Sequence, residues 1–266
     1  MNEPKKKFKI VTDTRARVIL PNTLTLIGVC IGLSSINFAL NGNYKLSIIA
    51  IFFAAIIDGL DGRIARLIKG TSKVGKELDS LTDIISFGVA PSLIMYFWTL
   101  NSLGKVGWLI SLIYVVCIAL RLARFNINTG TEPNWRVNFF EGIPSPAGGI
   151  LVLSPLIYDV SGLNFLPFEI QMITPILFVI ISILLISKIP TYSLKKIVVP
   201  RSTTVFLLFG IILVFGLLLI FPFKIIFLGC LGYLLAIPIS IYHFNKIKKQ
   251  NLNDQSMDDQ EPEDIL

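Results

Sequence analysis

Eight stretches of this chain are apolar over lengths that suit a lipid bilayer, and no other feature constrains its fold so tightly. They cover residues 18–40, 46–67, 78–100, 106–125, 144–158, 170–187, 202–221 and 223–244. A membrane-spanning helix needs about 20 mostly apolar residues. The fifth stretch is short and holds Pro144, Pro146 and Pro155. Charged residues are only 15% of the 266, against about 25% in soluble domains, so there is too little charge to clothe a water-facing surface. The chain therefore reads as all-α, a polytopic integral membrane helix bundle. The same composition excludes a disordered chain, a collagen-like chain and a small disulfide-built secreted domain. Cys30, Cys117 and Cys230 each fall inside an apolar run with no CxxC pair, and read as small buried residues. Residues 1–17 are polar and basic and lead into an apolar run with no A-x-A site after it, so no cleavable signal is expected.

Basic residues orient the spans. With the N-terminus in the cytoplasm, the other side receives only Lys45, Lys105 and Lys224. The remaining 21 of the 24 Lys and Arg residues fall on the cytoplasmic side. That split is a positive-inside signal, and it assigns the net charge of +7 to loops instead of nucleic-acid binding. Residues 245–266 form a cytoplasmic polar tail, whose stretch 251–266 is acidic and reads as a disordered end. His243, the single histidine, closes the last span and reads as interfacial.

The second and third spans break the apolar rule. They hold Asp58, Asp61, Asp79 and Asp83. An aspartate at the centre of a membrane helix costs about 2.5–3.5 kcal/mol on insertion scales, so four of them point to function. Asp58 and Asp61 are three apart and share one helix face; Asp79 and Asp83 are four apart and share another. A turn near Gly70–Thr71 places both pairs about 12–18 Å into an antiparallel hairpin, so all four carboxylates reach one level. They cannot all stay ionised there without cations. Arg63 lies off their face, and no Cys or His is near in sequence. Hard divalent ions, Mg²⁺ or Mn²⁺, fit such donors, and paired ions suit displacement at phosphorus. Gly59, Gly62, Gly75 and Gly88 lie along the same helices, either for close approach or for helix packing.

The stretch reads Asp58-Gly-Leu-Asp61-Gly62-Arg-Ile-Ala65-Arg66, then eight residues, Gly75, three residues, Asp79, three residues, Asp83. It resembles the signature of the CDP-alcohol phosphotransferase family, D-x2-D-G-x2-A-R-x8-G-x3-D-x3-D, at every fixed position. The resemblance covers about the first 160–240 residues, most strongly 58–146. It implies a six-helix core over 18–190 with about two more membrane helices over 191–244. It implies a two-metal site of Asp58, Asp61, Asp79 and Asp83, with Asp83 also the general base on an acceptor hydroxyl. CDP-diacylglycerol would meet Gly62, Gly75, Arg66 and Ser72, the last in the loop between the helices. Asn22 and Thr25, in a Pro21-Asn22-Thr-Leu-Thr25 segment, look like the family's cytidine-side stretch. Asn22 also reads as the N-cap of the first span, and both readings can hold.

Arg121-Leu-Ala-Arg124-Phe-Asn126 and Phe140-Glu-Gly142-Ile-Pro144-Ser-Pro146-Ala look like segments of the bacterial phosphatidylserine synthase branch. The resemblance then implies transfer of the phosphatidyl group to L-serine with release of CMP, at the cytoplasmic face of the cell membrane, by a chain that tends to homodimers. A serine carboxylate needs a fixed cation, and Arg offers a bidentate fork. Arg121, Arg124 and Asn126 are the acceptor-site candidates, and the arginines read equally as positive-inside anchors. Glu141 could meet the ammonium or be a loop acid. The competing acceptors are glycerol 3-phosphate, inositol phosphate and choline. From another class, an ion or metal transporter also puts aspartates in a membrane; their clustering at one level and the lack of a second copy of the motif speak against it. Gly28-x3-Gly32 reads as a helix contact, within the chain or in a dimer.

Overall fold

The computed structural model describes residues 14–68, 72–127, 139–164, 169–193 and 203–258. Residues 1–13, the turn at Gly70–Thr71, Arg136, Lys195, Lys196, Arg201 and residues 259–266 lie outside that set. The chain divides into two compact units, residues 1–119 and 120–266. Helices dominate both, as the apolar runs require. Among the described residues, four stretches are long and apolar enough to cross a membrane: Ile19–Leu40, Val74–Trp98, Lys105–Ile127 and Pro222–Gln250. Ile170–Ile186 and Thr204–Ile220 are shorter apolar helices.

The first unit is built on α1 (Thr14–Leu40) and α2 (Tyr44–Leu67). The buried positions of α1 are Pro21, Thr25, Gly28, Gly32, Ser35 and Ala39, spaced alternately four and three. This is a seam of small residues, and small residues let helix backbones approach closely in an apolar medium. A Cβ on Gly32 would lie 3.0 Å from the Ser86 Cα. The Gly28-x3-Gly32 contact is therefore made within the chain. The seam of α2 continues the same rhythm through Ser47, Ile51, Ala54, Asp58 and Asp61, and Ser47 Oγ donates to the Ser35 carbonyl at 2.8 Å. α2 is long enough to span, but Asp58, Asp61, Arg63 and Arg66 make its second half too charged to be recognised by hydropathy.

α1 begins at Thr14, eight residues before Asn22, so Asn22 sits in the helix interior and the N-cap reading is wrong. Pro at a first helical position is common, which is what made Pro21 look like a start; here the helix simply passes through it. The third span is not one regular helix. α3 (Lys73–Asp83) passes into a π-helical segment, Ile84–Val89, and then into α4 (Ala90–Trp98). A short 3₁₀ turn leads to α5 (Lys105–Ile127).

The second unit is centred on the proline-rich fifth stretch. It forms two short helices, α6 (Ser145–Val152) and α7 (Ser154–Ser161), and every residue from Leu151 to Tyr158 is buried. Pro155 has no N–H for the Leu151 carbonyl, which breaks the helix between the two. A helix apolar all round belongs in a core, and this one is surrounded by protein. α8 (Ile170–Ile186) follows. Two three-residue strands, β1 (Phe139–Glu141) and β2 (Pro190–Tyr192), pair antiparallel with Phe140 opposite Thr191. They are too short to leave a periodic signal. α9 (Thr204–Ile220) has no buried residue, and α10 runs from Pro222 to Asp258. The tail is thus helical as far as Asp258, contrary to the disordered reading. No Gly or Pro interrupts the chain between Pro238 and Pro262, so nothing stops the helix where its apolar part ends.

Candidate metal and nucleotide site

The hairpin geometry brings the aspartates together as the spacing requires. One carboxylate oxygen each from Asp58, Asp61 and Asp79 lies within 4.8 Å of the others. Asp83 lies close enough to Asp58 for the two carboxylates to act on each other. Two ionised carboxylates at that separation repel by about 3 kcal/mol at an effective dielectric of ~20, and several such pairs act at once. Asp61 is only 3% exposed. Thr25 is buried beside it, and its Oγ1 donates to Asp61 Oδ2 at 2.8 Å. The same oxygen stands 3.0 Å from the Pro21 carbonyl. Hard oxygen donors converging with no Cys or His among them fit a Mg²⁺- or Mn²⁺-type ion, and the repulsion between them supplies the reason to bind one.

The cluster opens on a cavity of about 470 Å³. α1 contributes Pro21, Asn22 and Thr25 to its wall; α2 contributes Asp61, Gly62 and Ala65; the start of α3 contributes Ser72, Gly75, Lys76 and Asp79. Five of the six residues expected at the nucleotide are therefore in this wall. A Cβ on Gly75 would crowd two polar side-chain ends, lying 2.8 Å from Asn22 Oδ1 and 3.0 Å from Ser72 Oγ. A Cβ on Gly62 would meet nothing within 4 Å, because it faces the opening. Ser72 is not a free loop residue. It caps α3, accepting from the Gly75 N–H at 2.9 Å. A serine just before a periodic run is a helix-start signal, and it would have placed Ser72 correctly. Arg66 is the exception: it is exposed, its Nε donates to the Gly62 carbonyl at 2.9 Å, and it is not among the residues of the wall. Lys76 was missed by sequence reasoning; its place next to Gly75 is the only signal it carries.

In the second unit, Arg121 is 8% exposed and its Nη1 donates to Ser145 Oγ at 2.6 Å. Arg124 donates from Nη1 to the Ile186 carbonyl at 2.7 Å and from Nη2 to the Ser187 carbonyl at 3.3 Å. Those are end carbonyls of α8, which have no helical partner, and a cation there also suits the helix dipole. Asn126 is half-buried near the end of α5, and Glu141 ends β1 opposite Pro190.

Fold and site define a class: a multi-pass membrane protein with a cluster of carboxylates that could hold a divalent ion, beside a cavity. The chain belongs to the CDP-alcohol phosphatidyltransferase family, whose profile matches residues 18–214. It is 38% identical over 232 residues to the CDP-diacylglycerol–serine O-phosphatidyltransferase of Mycobacterium leprae, covering 85% of this chain and 75% of that protein. It is 38% identical over 179 residues to the Helicobacter pylori (strain 26695) protein of the same description, covering 67% and 74%. An archaetidylserine synthase of Methanothermobacter thermautotrophicus is 33% identical over 142 residues, covering 52% and 57%. The family uses divalent metal ions.

Proposed function

We propose that this chain transfers the phosphatidyl group of CDP-diacylglycerol to the hydroxyl of L-serine, giving phosphatidylserine and CMP, at the cytoplasmic face of the cell membrane. The observation that carries the reading is the cavity of the first unit, with Asp61 and Asp79 in its wall, in a chain similar over most of its length to serine-using enzymes. Asp58, Asp61, Asp79 and Asp83 would hold two divalent ions, which when bound offset the charge of the pyrophosphate and of the departing CMP. Asn22, Thr25, Gly62, Ser72 and Gly75 shape the cavity for the nucleotide, with Arg66 held at its rim by the Gly62 carbonyl. Asp83 takes the serine hydroxyl proton as that oxygen attacks the β-phosphorus. A hydroxyl is a poor nucleophile near neutral pH, so a base in fixed position matters. For the acceptor, Arg121, Arg124 and Asn126 are the residues assigned to serine's charged groups, Arg121 foremost because Arg124 is engaged by two backbone carbonyls. The working unit is a homodimer.

The test supplies purified protein with CDP-diacylglycerol, Mg²⁺ or Mn²⁺, and each acceptor in turn: serine, glycerol 3-phosphate, inositol phosphate and choline. CMP release and a new lipid with serine alone are expected. Lipid formed with glycerol 3-phosphate and none with serine would overturn the acceptor. Ion movement across liposomes with no CMP release under any condition would overturn the chemistry.

A further inference from the structure

The π-helical segment begins at the residue after Asp83. Such wide turns occur mostly as single insertions in α-helices, often at functional sites. Here the sequence supplies a cause. In an α-helical register the Phe87 carbonyl would accept from residue 91, and residue 91 is proline, which has no N–H and whose ring clashes with that carbonyl. The chain takes a wider path instead: the Ala90 N–H reaches back five residues to the Ile85 carbonyl. The bond that Pro91 cannot make is replaced from α5, where Tyr114 donates its hydroxyl to the Phe87 carbonyl at 2.9 Å. Both Tyr114 and Phe87 are fully buried. On the other side of the segment, Ser86 Oγ donates to the Gly28 carbonyl of α1 at 3.3 Å.

We propose that Tyr114 is a positioning residue for the phosphatidyl transfer. By holding the Phe87 carbonyl it fixes the wide turn that Pro91 imposes, and the turn fixes how far α3 is rotated when it presents Asp83 to Asp58. A π insertion shifts everything before it by one residue's worth of rotation relative to everything after it. α4 is anchored by its own packing, with Ala90, Ile94 and Met95 buried, so the rotation is expressed on the Asp83 side. The inference rests on reading Asp83 as the base.

Ser92 supplies the control. Its Oγ donates to the Ser111 carbonyl at 2.9 Å, a buried hydroxyl–carbonyl bond between the same two helices but beyond the π segment. Three variants of the full chain, Tyr114→Phe, Ser92→Ala and Pro91→Ala, are assayed for serine-dependent CMP release, with thermal unfolding measured alongside. Tyr114→Phe should lower kcat about ten- to a hundredfold, the scale of a misplaced catalytic group. Its KM for CDP-diacylglycerol should stay within about twofold, the mark of an interaction made in the transition state alone. Ser92→Ala should keep the parent kcat. Pro91→Ala gives the Phe87 carbonyl its missing donor and removes the ring, so it should fold at least as stably as the parent and still lose kcat as the turn closes to α geometry. A Tyr114→Phe kcat equal to that of Ser92→Ala overturns the proposal. If Tyr114→Phe fails to fold, parental kcat in Pro91→Ala overturns it alone. Near-parental turnover in Asp83→Asn would instead overturn the reading of the base, a separate result.

Discussion

Two of the four clustered aspartates of α2 and α3, Asp61 and Asp79, line a cavity, whereas the two arginines at the end of α5 reach protein atoms with the hydrogen bonds described above. Both sets are ionisable groups in apolar helices, and both carry a cost that something must offset. In the acidic set the side chain that donates to Asp61 is a neutral threonine, Thr25. In the basic set Arg124 is answered by two helix-end carbonyls, whereas Arg121, like Asp61, meets a neutral hydroxyl, that of Ser145. The lesson is that burial of charge alone does not mark chemistry. Like charges gathered at one level, next to space for a ligand, are the better mark.

The strongest way to break that contrast is Asp83→Asn. Turnover should fall about 10²–10⁴-fold, the usual contribution of a positioned base, while CDP-diacylglycerol still binds; activity near the parent's would remove the acidic set from the chemistry. Next comes Thr25→Val, which keeps the shape and removes the donor to Asp61. Outer partners of metal ligands are worth about 10–100-fold in metal affinity, so the Mg²⁺ concentration for half-maximal activity should rise by that factor. The arginines can then be set against each other. Arg121→Ala should raise the KM for serine about tenfold or more, as loss of a charged hydrogen bond does, with little change for the lipid donor. Arg124→Ala should act first on the unfolding temperature, because it frees two carbonyls at the end of α8. If the two variants behave alike, the distinction between binding and bracing is wrong. The smallest effect belongs to Lys76→Met. An exposed charge on the cavity wall is worth at most about 1 kcal/mol, so the donor KM should rise a few-fold at low salt and return toward the parent's as salt is added.

The acidic site was legible because its geometry is local. Spacings of three and four set the faces of two helices, and the turn between them sets the level, so no distant residue had to be known. The seam of α2 was equally legible in retrospect, since Asp58 and Asp61 fall on the stripe that begins at Ser47. Asn22 was harder. The run of Pro21 and Asn22 before an apolar stretch looks like a helix start whether or not a helix already precedes it. The π segment was not legible at all: Pro91 alone permits a kink, a break or a wide turn, and Tyr114, distant in sequence, makes the choice. For the same reason the fifth stretch looked like a poor membrane span. Its brevity and prolines argue against one regular span, and the burial of residues 151–158 in protein accounts for its apolar character.

A hydroxyl group carries one proton, and Thr25 stands between two atoms that can take it. The proton can point to the Asp61 carboxylate or turn to the Pro21 carbonyl without the side chain leaving its place. Were Asp61 to hold an ion, the hydroxyl would still have an acceptor in the Pro21 carbonyl. The threonine is placed as a swivel, with an acceptor for its proton in either direction.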